Sequence, residues 1–210
     1  MSAVSEIIVR EFFESLGFLV REPRKHQVVA RPKQSEEEID LIVFNPNVTD
    51  PAMPDEMVWT GASLRRVARA IVGVRGWHTE RFSPAVFATS SDIFRLADSH
   101  VAGRAAQMLG PGPVAKVLCL PGLPASGTLR KKALELLMER GINGVILFRT
   151  MLLELAAYVD INRNYDRSDL LQVIRILKNY DLLKDAQMEL FKRRQGKPQK
   201  NKDRQARGEA

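Results

Sequence analysis

The chain of 210 residues holds a single cysteine, Cys119. One thiol cannot close a disulfide within the chain, so a small disulfide-stapled scaffold is excluded. No apolar run approaches the ~20 residues that a bilayer-crossing helix needs. The opening residues Met1-Ser2-Ala3-Val4-Ser5-Glu6 show no basic segment followed by an apolar stretch, so no secretory signal is read there. These absences set the expectation of a cytoplasmic protein with no membrane partner. Histidine is scarce too: His26, His78 and His100 are too scattered for a metal cluster and have no cysteine partner. There is no Gly-x-Ser-x-Gly elbow. The glycine-rich stretches 110–113 and 121–127 lack the Lys-Ser/Thr ending of a phosphate loop.

What the chain does have is a sizeable apolar fraction, 45%, enough for one core. It also has an excess of base, with a net charge of +7. That charge is unevenly placed. Residues 192–210 contain Lys192, Arg193, Arg194, Lys197, Lys200, Lys202, Arg204 and Arg207 against Asp203 and Glu209, a net of +6. Residues 1–191 are left with +1. No large apolar side chain follows Phe191, so the tail has nothing to bury and is expected to be disordered. Two domains of behaviour follow: a folded unit over 1–191 and a basic tail over 192–210. A tail of this kind either binds phosphate through counterion release or serves only as a solubiliser.

Periodicity places a helix over 4–16, with Ser5 as N-cap and Gly17 at its end. Short strands are expected at 18–21 and, as its hairpin partner, 27–31. Ile39-Asp40-Leu41-Ile42-Val43-Phe44 reads as a strong strand, and 45–57 as a loop. A further strand spans 69–77, and one helix covers 91–109. A strand at 114–121, a helix at 128–140 and a strand at 144–148 make a parallel crossover. Helices at 151–159 and 168–177 close the chain. The fold class is α/β, a mixed central sheet with flanking helices and additional helices at the C-terminus.

Three stretches carry a resemblance. Glu6 lies on the opening helix, ahead of Gly17-Phe18-Leu19-Val20. Asp40 heads an apolar strand. Ile71-Val72-Gly73-Val74-Arg75-Gly76-Trp77 forms an apolar strand of the acid-x-Lys kind. In this order they resemble the PD-(D/E)XK nuclease superfamily, over roughly residues 5–150. The resemblance implies a restriction-endonuclease-like core and a site built around Glu6, Asp40 and positions 73 and 75. The chain departs from the pattern where the chemistry resides: Gly73 stands at the acid and Arg75 at the lysine. A Mg²⁺ site needs hard carboxylate oxygens, which glycine lacks. Arginine stays protonated and cannot act as a general base, though it can hold a phosphate through its paired N–H groups.

The leading expectation is therefore a pseudoenzyme: a catalytically degenerate nuclease-like protein that binds DNA or RNA through Arg75 and the tail residues 192–207, with no cofactor. The enzyme alternative is a Mg²⁺-dependent nuclease whose missing acid has moved, with Glu38 beside Asp40 as metal ligand. Glu80, in a continuous strand, would face the other side. A third alternative is a protein-interaction module using the helices at 151–177, and a homo-oligomer is compatible with any of the three. Each residue also has a plainer role. Glu6 complements a helix dipole. Asp40 and Arg75 neutralise one another. Gly73 marks a bulge or close packing. Thr128 is an N-cap, with Arg130, Lys131 and Lys132 beside it on the surface. Cys119 is a buried, inert thiol.

Overall fold

Helix α1 (Ala3–Ser15) buries Ile8, Val9, Phe12 and Phe13 along one side. Its following Gly17 takes a left-handed φ of +86°, which turns the chain straight into β1 (Leu19–Arg21). The computed structural model describes residues 3–23, 39–79 and 81–183. The expected hairpin strand at 27–31 lies outside the described residues, as do Glu38, Glu80, His26 and the whole basic tail. Among the described residues, the strand that pairs with β1 is β2 (Leu41–Phe44), antiparallel. After β2 come β3 (Val58–Trp59) and a 3-10 turn over Ser63–Arg66. β4 (Arg69–Val74), α2 (Pro84–Thr89), a 3-10 segment over Ser91–Ala97 and α3 (Ser99–Leu109) follow. The chain is completed by β5 (Ala115–Leu120), α4 (Gly127–Glu139), β6 (Gly144–Leu147), α5 (Phe148–Tyr158) and α6 (Asp169–Asn179).

The six strands of the described residues form one sheet in the order β1-β2-β4-β5-β6-β3. β1, β2 and β4 are antiparallel neighbours. β4, β5, β6 and β3 run parallel, and α4 bridges β5 and β6 as the expected crossover. The sheet is thus mixed, and helices cover both faces.

Side-chain alternation divides the core into two layers. Leu41, Val43, Val72, Val74, Val117 and Cys119 pack with α1, α5 and α6 on the first face. Ile42, Ile71, Leu118 and Val145 pack with α2, α3, α4 and the segment Ser91–Ala97 on the second. Membership of the two layers decides which candidate residues meet.

The single helix expected over 91–109 is broken at Asp98, whose backbone is extended (φ −62°, ψ 143°). Its first half buries Ile93, Phe94 and Leu96 within four residues. Ser5 is not an N-cap either: it lies inside α1 and is fully buried. α4 begins at Gly127, so Thr128 lies inside the helix and the N-cap is Ser126, which makes no side-chain capping bond. α5 starts at Phe148 with no loop after β6, because that buried ring belongs to the first-face core.

Candidate functional site at the carboxyl end of the central strands

Because β2 runs antiparallel to β4, the head of one lies beside the tail of the other. This brings together Asp40 and Arg75, which are 35 positions apart in the chain. The Asp40 backbone N–H donates to Val72 O at 3.0 Å. Its carboxylate Oδ2 accepts from the Val74 N–H at 2.7 Å and from Arg75 Nη1 at 3.3 Å. Arg75 Nη1 also donates to Val74 O at 2.9 Å, and Nη2 to Asp92 O at 3.2 Å. The two side chains are 0% and 10% exposed. Burial pushes the Arg75 guanidinium below its ordinary value, and Asp40 and then Asp92 oppose that shift.

Gly73 shares this side of β4. A Cβ on it would lie 2.9 Å from Leu118 Cδ2 and 3.4 Å from Leu96 Cδ2. The place of an acid is therefore filled by leucine methyls. A divalent cation would meet a carboxylate already bonded to a guanidinium, a glycine and an apolar wall. These residues do not fit a Mg²⁺ site. Among the described residues there is no group of three metal-ligating side chains.

Glu6 stands on α1, in the first-face layer, while the guanidinium of Arg75 runs to Asp92 in the second. What α1 brings directly to this end is Ser5: its Oγ is 3.1 Å from His78 Nε2. Gly76 makes that approach feasible, since a Cβ there would lie 2.5 Å from Ser5 Oγ. The His78 ring stands edge-on to Phe148 at the head of α5, centroids 4.8 Å apart.

Beyond Gly76 the chain carries Trp77, His78 and Arg81, all exposed. These residues were not singled out from sequence as site candidates. Their signal was present in Gly76-Trp77-His78, an aromatic and a titratable ring immediately after an apolar strand. In open α/β sheets the carboxyl ends of parallel strands are where ligands bind, and these three residues occupy that end. A comparison of the chain with family models, curated proteins and solved structures finds no match.

Proposed function

We propose that the protein is a non-catalytic nucleic-acid-binding protein built on a restriction-endonuclease-like core. The observation that carries the non-catalytic half is the filled place at Gly73 beside the closed Asp40–Arg75 pair. The binding half rests on charge. The exposed cationic residues Arg81 and Arg149 stand at the carboxyl end of the sheet with His78, and residues 192–210 add a net +6. Phosphate contacts by Lys and Arg release counterions, so affinity of this origin falls steeply with salt. DNA and RNA both present the phosphates that this chemistry requires.

The test is binding of fluorescein-labelled DNA and RNA at several salt concentrations, for the full chain and for a chain ending at residue 191. The expected result is weaker binding and a shallower salt slope for the shorter chain. Unchanged binding and slope would remove the tail from the reading. Incubation of both nucleic acids with Mg²⁺ or Mn²⁺ is expected to give no cleavage. Cleavage that Asp40→Asn abolishes would restore the enzyme alternative.

A second reading, a protein-interaction module, is favoured by α6. Val173, Ile176 and Tyr180 are exposed on the side of that helix opposite its buried Leu171 and Ile174. Chromatographic sizing with light scattering tests its simplest form, self-association, which Ile176→Glu is then expected to weaken.

A further inference from the structure

Trp77 is 44% exposed, an uncommon position for a large aromatic side chain. It is not loosely held. Its ring lies parallel to that of Phe82, with centroids 5.8 Å apart and planes 7° from parallel. Phe82 is fully buried, and its N–H bonds Gly122 O at 3.0 Å in the loop after β5. Behind it the rings continue inward. Phe82 meets Phe87 at 5.8 Å, and Phe87 meets Phe94 at 5.9 Å. Trp77 is the outermost member of a run of aromatic rings anchored in the second-face core. Phe82 covers part of the indole from one side in an offset stack, and 44% of the residue stays open to solvent.

A flat π-face fixed before binding loses little entropy when a second ring settles on it. The neighbours narrow the choice of that ring. His78 follows directly, tied to Ser5 and Phe148. Arg81 is exposed, and its guanidinium makes only a marginal 3.5 Å bond to Leu123 O. An exposed aromatic ring with an exposed guanidinium four positions further along the chain suits a ligand that is planar in one part and anionic in the next, which describes a nucleotide within a strand. In a duplex both faces of each base are already stacked, so an indole of this kind serves an unpaired base.

We infer that Trp77 is a stacking platform for an unpaired base of single-stranded DNA or RNA, with Arg81 receiving the adjoining phosphate. The inference rests on the nucleic-acid reading above and names its substrate class.

The molecule supplies its own probe. It has two tryptophans. Trp59 is fully buried, with its indole N–H bonded to Glu56 O, so a change in emission on binding reports Trp77. The full chain is titrated with oligo-dT, oligo-U and a blunt 20-base-pair duplex, following tryptophan emission and the anisotropy of labelled strands. The expected result is quenching by the single strands. Trp77→Leu is expected to lower single-strand affinity between about fivefold and a hundredfold and to abolish the quenching, with duplex binding unchanged. Trp77→Phe keeps an aromatic face and is expected to retain most of the affinity. Single-strand binding by Trp77→Leu at the level of the unaltered protein overturns the platform while leaving nucleic-acid binding intact. Equal losses in Trp77→Leu and Trp77→Phe, or equal losses on single strand and duplex, also overturn it. Failure of the unaltered chain to bind any of the three at low salt overturns the underlying reading instead.

Discussion

Removing one partner of the Asp40–Arg75 pair leaves the other charge without its counter-ion in the core. Breaking a buried pair from one side costs about 3–5 kcal/mol, whereas replacing both members with apolar groups is often close to neutral. Asp40→Leu and Arg75→Leu are each expected to lower unfolding stability by roughly that amount. The double variant is expected to lose clearly less than the sum of the two. Urea unfolding of the four proteins gives the coupling, and strictly additive losses would contradict the pairing. The same residues explain what was readable at this scale. An acid opening an apolar strand signals a compensated charge, because an uncompensated one is costly to bury. That Arg75 compensates Asp40 was the plainer reading of the two residues in the sequence, and the antiparallel register of β2 and β4 brings them together. Close packing at Gly73 was readable from a glycine within an apolar strand, but its neighbours were not, since Leu96 and Leu118 arrive from different elements.

Among the elements, capping and close approach give separable expectations. Ser168 caps α6, its Oγ accepting from the Leu171 N–H at 3.2 Å. Ser168→Ala is expected to cost about 1 kcal/mol. Gly144 opens β6 against the indole of Trp59, where a Cβ would overlap the ring. Gly144→Ala is expected to cost more, about 1–3 kcal/mol, because an overfilled core must move side chains or backbone. Thermal unfolding of both variants checks the order, and a Gly144→Ala melt equal to that of the unaltered protein would sink the second expectation. Most long elements were legible because a single period persisted along them, as in α1, α4, β2 and β5. Short ones were not. α2 has six residues, and its cue, Ser83 as N-cap before Pro84, is brief. β3 has two residues and too little length for any alternation to register.

At the scale of the whole molecule, the lone thiol is a measure of global opening. Cys119 is fully buried in β5, the fourth strand of six across the sheet. Burial, and then the charge of Asp40, push its thiol well above the ordinary range. The thiolate is the reactive form, so labelling by a thiol reagent at pH 8 is expected to be far slower than for free cysteine. It is expected to accelerate with urea in step with the loss of circular dichroism. Fast labelling in native buffer would mean that β5 opens locally without global unfolding. Fold class and the split of charge between body and tail were open to sequence reading because both are summed properties. The packing of α1 on one face while Arg75 reaches Asp92 on the other was not, since it depends on how the sheet as a whole is covered.

The position of β3 has a consequence for synthesis. Val58 and Trp59 leave the ribosome before β4, β5 and β6, yet their partners are Val145 and Ile146 at the far side of the sheet. A nascent chain therefore carries Trp59 exposed to water until residue 146 has emerged. Closing a contact between such distant positions is slow compared with local pairing. β3 is then the last strand laid on the sheet, and the interval before β6 arrives is when the growing chain is most open to aggregation.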